Sequence, residues 1–141
     1  MTTVCCNHEL MACDSYLTDG NTIQSVRKIF KRKGHVVGIA GDYAACMEFV
    51  KWWLKGKFED ECPCEMDEVE VLILTNKGKI LHYSSCVEPF ELVDGFAAIG
   101  SGATAAMGAL HVGATPEQAV LAASKVDVNT GGKISIRRRG K

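Results

Sequence analysis

Three polar triplets, Asn7-His8-Glu9, Arg32-Lys33-Gly34 and Asn76-Lys77-Gly78, each stand between two β-prone apolar runs. Asn and Gly accept the dihedrals that reverse a chain, and β-branched or aromatic side chains suit a pleated surface, so each triplet reads as a hairpin turn. The paired runs are 2–6 with 10–14, 26–31 with 35–40, and 69–74 with 79–83. Antiparallel sheet is therefore the expected frame, with Asp14 at the end of the second strand. In the middle hairpin Val26, Lys28 and Phe30 share one face, and Arg27, Ile29 and Lys31 the other. That places a cation among apolar neighbours, which taken alone reads as a lysine whose stem lies over the sheet with its head in water.

The remaining segments supply helices and connections. Residues 43–55 form a helix between Gly41-Asp42 and the stop signal Gly56, apolar on more than one side and so expected to be buried between layers. Residues 96–100 read as a short apolar strand, and Ser101-Gly102 opens a small-residue helix. Thr115-Pro116-Glu117-Gln118 combines an N-cap, a proline at the first helical position and a glutamine three residues after the cap. A last strand is expected over 133–137, a turn-rich loop over 18–21, a solvated acidic segment over 59–70 and a loose basic tail over 137–141. Strands, helix, strands, two helices, strand is an order that no single meander with helices on one face accommodates. Two packed antiparallel sheets with helices outside do, giving an α+β fold in one domain spanning 1–141.

Composition narrows the functional classes. Across 141 residues the formal net charge is -1, which supplies no general attraction to nucleic acid or to an anionic membrane. The three tail arginines lack the aromatic platform or basic groove of a nucleic-acid site. No apolar run is long enough to span a bilayer, and the N-terminal residues do not read as a signal peptide, so a cytoplasmic location is expected. Seven cysteines then read as reduced, small, buried side chains. Cys62-Pro63-Cys64 has one intervening residue where metal knuckles and redox motifs have two or more, and the four histidines are scattered, so neither a metal nor a cofactor is expected. Gly100-Ser101-Gly102-Ala103-Thr104-Ala105 matches a relaxed dinucleotide fingerprint, but the repeated βαβ context that such a site requires is missing. Its glycines are expected to allow close helix packing instead.

One chemical possibility sits at the N-terminus. Removal of Met1 would leave Thr2 with a hydroxyl nucleophile and a free α-amine, and that amine is a built-in base with a reference pKa within about a unit of neutrality. Several separated stretches then fall into one pattern: Thr2-Thr3-Val4, Met11-Ala12-Cys13-Asp14-Ser15, Val26-Arg27-Lys28-Ile29, Gly38-Ile39-Ala40-Gly41-Asp42, Ala98-Ile99-Gly100-Ser101-Gly102, and Asp127-Val128-Asn129-Thr130-Gly131-Gly132. In this order and spacing they resemble the proteasome β-subunit family, and especially the short bacterial proteasome-like peptidase among the N-terminal-nucleophile hydrolases.

The resemblance implies a four-layer αββα sandwich and a threonine-type endopeptidase. Thr2 matches the nucleophile, Asp14 and Lys28 the buried acid and lysine, and Gly41 the backbone N–H that receives the oxyanion. Ser101, Asp127 and Thr130 match the polar set that orients the amine and a water. Thr130 stands where most relatives have serine. Ile39, Tyr43 and Met47 match positions lining the specificity pocket, expected here to be apolar and of medium size. The partners implied are a peptide or unfolded protein substrate, further copies in a homo-oligomeric ring, and an ATP-dependent unfoldase, with no nucleic acid and no membrane. Maturation is expected to be methionine removal alone; the first hairpin turn is shorter than usual and segment 59–68 is unlike the relatives. Two other readings stay open: an N-terminal-nucleophile amidase acting on a small substrate, and an inactive structural ring subunit.

Overall fold

A computed structural model describes residues 2–19, 21–56, 68–84 and 89–140. The expectations that rest on Met1, on Cys62-Pro63-Cys64, on Cys86 and on most of the acidic segment lie outside the described residues.

The three expected hairpins form, each for a local reason. Between β1 (Val4–Asn7) and β2 (Leu10–Cys13), Asn7 Oδ1 accepts from the N–H groups of Glu9 and Leu10 at 2.8 and 3.0 Å. Between β5 (Ile29–Arg32) and β6 (His35–Gly41), Lys33 and Gly34 both take positive φ, 50° and 81°, as a two-residue turn between twisted strands requires. Between β7 (Val69–Leu74) and β8 (Ile80–Ser84), Thr75 Oγ1 accepts from Lys79 N at 2.9 Å. The chain is thus α+β, with antiparallel sheets and, among the described residues, three helices.

Two larger sheets carry the strands. One has the order β10-β1-β2-β11, with β10 at Phe96–Ile99 and β11 at Ser135–Arg138; the other has the order β5-β6-β7-β8-β9, with β9 at Phe90–Leu92. Alternation along each strand divides the apolar side chains into separate cores. Val4, Cys6, Met11 and Cys13 of the first sheet meet Ile29, Val36, Leu72, Leu74 and Ile80 of the second. Val37, Ile39, Val71 and Ile73, on the other face of the second sheet, pack against Cys46, Phe49, Val50 and Trp53 of α1 (Tyr43–Lys55). Cys5 and Ala12, on the other face of the first, pack against α2 (Ala103–His111) and α3 (Pro116–Val126) through Ala106, Leu110, Ala119, Val120 and Ala123. The capping box is present, with Thr115 Oγ1 accepting from Gln118 N and Gln118 Oε1 accepting from Thr115 N.

Several expectations are corrected. α1 is not buried all round: Ala44, Glu48, Lys51, Leu54 and Lys55 are exposed, so one face is wet. Its broad apolarity misleads because tryptophan and tyrosine cover a core from the flank of a helix. The loop expected over 18–21 is the tip of a hairpin of β3 (Tyr16–Asp19) and β4 (Thr22–Ser25). β9 is short and nearly uniform in exposure, and so carries no alternation to read. The basic tail is tied down. Arg137 and Arg138 pair with Met11 and Leu10, while the Arg139 guanidinium donates to the carbonyls of His8 and Asn76, and Gly140 N donates to Gly34 O at 2.9 Å. A run of charge tells where the side-chain heads go; it says nothing about whether the backbone pairs.

Gly38 lies directly against the first sheet: an added Cβ would lie 2.5 Å from Val4 Cγ1 and 2.7 Å from Met11 Sδ. Gly38→Ala is therefore expected to destabilise the fold by about 1–3 kcal/mol through overpacking. Equilibrium urea unfolding measures this, and an unchanged midpoint would contradict the inter-sheet contact.

Candidate active site

The end of the β1–β2 hairpin that is away from its turn holds Thr2, Thr3 and Asp14 near Lys28 and Gly131. Antiparallel pairing sets Thr3, just before β1, beside Asp14, just after β2: Asp14 N donates to Thr3 O, and Thr3 N donates back to Asp14 Oδ1, both at 3.1 Å. The same Oδ1 accepts from Lys28 Nζ at 2.9 Å, and both side chains are almost wholly buried. Asp14 Oδ2 accepts from Gly131 N at 3.1 Å and more weakly from Tyr16 N at 3.4 Å. Lys28 does not send its head to water as a lone surface lysine would. β5 starts only at Ile29, so Lys28 turns inward from the strand's threshold while its carbonyl still accepts from Ile39 N at 3.0 Å.

A second network reaches the backbone of Thr2. Thr2 N donates to Ser101 Oγ at 3.1 Å, and Ser101 Oγ lies 2.5 Å from Asp127 Oδ2. Thr130 Oγ1 donates to the same carboxylate oxygen at 2.6 Å and lies 2.7 Å from Thr3 Oγ1. A hydroxyl has one proton, which fixes the directions. Ser101 and Thr130 give theirs to Asp127, so Ser101 is the acceptor for Thr2 N–H and Thr3 is the donor to Thr130. Burial alone would raise the Asp127 carboxyl, but the hydrogen bonds from Ser101, Thr130 and Asn129 N–H outweigh it and hold the group below its ordinary 3.8.

Gly41 closes the arrangement. Asp42 N donates to Glu68 O at 2.9 Å on the β7 side, whereas Ile39 N donates to Lys28 O on the β5 side. Alternation along the strand directs the Gly41 N–H to the side of Lys28, where β5 has already ended. Its φ is +117°, and an added Cβ would collide with the Glu68 carbonyl, so only glycine fits. Thr2, Lys28 and Gly41 together border a cleft of about 490 Å3, completed by Tyr16, Leu17, Thr18, Asp42, Tyr43 and Glu68. A hydroxyl, a fixed cation and an open backbone donor at one cleft are the parts that acyl transfer needs.

Of the three expected pocket residues, Tyr43 lines the cleft, its hydroxyl donating to Arg27 O at 3.0 Å. Ile39 is 1 % exposed in the core beneath α1, and Met47 is half-buried against that core; neither borders the cleft. The sequence reading missed Thr3, whose hydroxyl and N–H join the two networks, and Tyr16, whose ring covers Gly131 and Gly132. The signal for Thr3 was a second hydroxyl residue directly before an apolar strand. Among the described residues no group of His, Cys, Asp and Glu is arranged to hold a metal ion. Burial pushes the thiols of Cys5 and Cys13 up to about 12, leaving them protonated and unreactive.

Two antiparallel sheets flanked by helices, with a buried lysine–aspartate pair and a hydroxyl-bearing cleft at one end, make up an α+β fold. No family model matches the chain, and no curated protein matches it. Solved structures do match. Thiobacillus denitrificans BPH superposes with a TM-score of 0.70 at 21% identity, covering 98% of each chain. The same protein in complex with epoxomicin gives 0.66 at 20% identity, covering 99% of each. Eukaryotic HslV from Trypanosoma brucei gives 0.75 at 17% identity, covering 96% of this chain and 98% of its own. Likeness at such identities is one of fold, and at that level it agrees with the resemblance read from the sequence.

Two predictions follow from this geometry. Lys28→Met leaves Asp14 as an uncompensated buried charge and is expected to cost about 3–5 kcal/mol in urea unfolding, part of it recovered when Asp14→Asn is added, because the asparagine NH2 cannot accept from one of the backbone N–H groups that the two carboxylate oxygens accept from. Equal stability of the single and double variants would contradict the pairing. Asp127 has a depressed folded pKa, so its contribution to stability is fully present above 3.8 and is lost as pH falls through the lower folded value. Asp127→Asn is therefore expected to flatten the fall in thermal midpoint below about pH 4; parallel acid limbs for the two proteins would refute this.

Proposed function

We propose that this chain is a threonine peptidase of proteasome type, hydrolysing peptide bonds through Thr2 after Met1 is removed. The observation that carries the reading is the hydrogen bond from Thr2 N into the Ser101–Asp127–Thr130 network at a cleft that Lys28 and Gly41 also border. With Met1 gone, that nitrogen becomes an amine held by a hydroxyl whose proton is committed to Asp127.

The chemistry follows in balanced steps. Thr2 Oγ attacks the carbonyl carbon of the scissile bond while its proton passes to the α-amine, directly or through a water. The Lys28 cation favours loss of that proton, and Asp14 keeps the cation in place where an unpaired charge would be costly. The carbonyl electrons move to oxygen, and the Gly41 N–H accommodates the oxyanion. Collapse breaks the C–N bond, the α-amine returns its proton to the leaving nitrogen, and an ester on Thr2 remains. Water, deprotonated by the same amine, hydrolyses the ester and restores the hydroxyl.

The layering of three cores across two sheets supports a four-layer αββα sandwich for the chain. The cleft would receive an extended peptide, with Tyr16, Leu17 and Tyr43 against the side chain at the cleavage site; Ile39 and Met47 act from behind by packing where Tyr43 packs. Assembly into a ring and delivery of unfolded substrate by an ATP-dependent unfoldase are implied by the family resemblance.

The test is mass analysis of the purified protein before and after treatment with epoxomicin. The expected result is an N-terminus at Thr2 and an adduct on the N-terminal peptide, with peptide turnover falling about 10³-fold or more in Thr2→Ala. Full activity in protein that retains Met1, or in Thr2→Ala, would sink the assignment.

A further inference from the structure

The two networks at the cleft end meet in one residue. Thr3 is wholly buried and does not border the cleft. Its N–H donates to Asp14 Oδ1 at 3.1 Å, the oxygen that also receives Lys28 Nζ at 2.9 Å, and its carbonyl accepts from Asp14 N at 3.1 Å. Its side chain turns to the other network, with Oγ1 2.7 Å from Thr130 Oγ1. Thr130 gives its own proton to Asp127 Oδ2 at 2.6 Å, so Thr3 is the donor in that pair. A continuous chain of bonds results: Thr3 donates to Thr130, Thr130 and Ser101 both donate to Asp127 Oδ2, and the Ser101 oxygen receives Thr2 N at 3.1 Å.

Valine would fill a buried strand start at the same volume with no hydroxyl to desolvate, so packing alone does not require threonine here. The hydroxyl is also closely enclosed. A Cβ added to Gly102 would collide with Thr3 Oγ1, and Gly102 N donates to Thr2 O at 3.3 Å. The turn that holds Thr2 therefore rests against the Thr3 hydroxyl. Donation from Thr3 polarises the Thr130 hydroxyl and so strengthens its bond to Asp127. We propose that Thr3 is a positioning residue of this active site: its backbone is locked to the Asp14 that holds Lys28, and its hydroxyl heads the chain of donors that ends at the acceptor of the Thr2 nitrogen, so that cation and amine keep one fixed placement about Thr2. The role rests on the peptidase reading above.

The experiment compares wild type, Thr3→Ser, Thr3→Ala and Thr3→Val as full chains. Serine and alanine both lack the γ-methyl and differ only in the hydroxyl. Valine keeps the branched shape without the hydroxyl, so it tests the same point against wild type. With short fluorogenic peptides, Thr3→Ala and Thr3→Val are expected to lower kcat about 10-fold with KM nearly unchanged, as misplacement of reacting groups does, and Thr3→Ser to stay within about 2-fold of wild type. Titration of the Asp127 carboxyl by carbon NMR should show its pKa rising toward the ordinary 3.8 in both hydroxyl-free variants and unmoved in Thr3→Ser. Wild-type kcat in Thr3→Ala or Thr3→Val, a loss confined to KM, or a serine variant as impaired as alanine would overturn the proposal. Wild type inert toward peptides and epoxomicin would overturn the peptidase reading instead. In that case an Asp127 titration left unchanged by Thr3→Val would still overturn the positioning role, and a raised one would support it.

Discussion

The buried pair of Lys28 and Asp14 governs how the cleft end of this molecule is built. An ionised carboxylate withdrawn from water is tolerable only when its lone pairs are filled, and Asp14 fills them from four places in the chain: Lys28 Nζ and the N–H groups of Thr3, Tyr16 and Gly131. Those donors belong to the start of β1, the start of β3, the approach to β5 and the approach to β11. None of these segments can move without leaving a charge or a backbone group unpaired. Such a pair is weak evidence for stability as such, since apolar residues of similar volume often serve as well or better. What the pair does place is a cation on the wall of the cleft that Thr2 also lines.

Close approach is the second constraint, and glycine meets it. Gly38 lets the two sheets come together over Val4 and Met11, and Gly102 lies against Thr3 Oγ1 and Thr130 Oγ1, where any side chain would split the hydroxyl pair. Gly131 and Gly132 pass beneath the ring of Tyr16, which also borders the cleft. The small residues are thus concentrated where backbones meet functional atoms, whereas Gly108 and Gly113 in and after α2 have open space around them.

Much of this was legible in the residues. The three hairpins and the capping box at Thr115 are local signals that tertiary packing did not override. Asp14, Lys28, Ser101, Asp127 and Thr130, singled out by a pattern scattered along the whole chain, stand in two hydrogen-bonding networks that reach the backbone of Thr2 and Thr3. What was not legible depended on partners far away in sequence. Taken alone Lys28 read as a surface lysine, because its aspartate lies 14 residues earlier; only the resemblance along the whole chain made it a buried partner of Asp14. Arg137 to Arg139 read as a tail because the strand edge they complete, β2, is more than a hundred residues away. Ile39 and Met47 were assigned to a pocket wall, yet burial depth decides such an assignment, and periodicity along β6 and α1 does not report depth.

The polarity of the Thr2 network bears on the state in which it works. Asp127 accepts from two hydroxyls at once and is held in its charged form, so the short bond to Asp127 takes the Ser101 proton in preference to the 3.4 Å contact with Thr2 O, and the Ser101 oxygen faces Thr2 N as an acceptor. An amide nitrogen has only one hydrogen to offer such an acceptor and no lone pair for acid–base work. An α-amine in the same place keeps that hydrogen bond, gains attraction from the nearby carboxylate when protonated, and when neutral has a lone pair free to take the Thr2 hydroxyl proton. The network would therefore have more to interact with if an α-amine stood at Thr2 than it has with an amide, and an α-amine there is what the proposed peptidase reading requires.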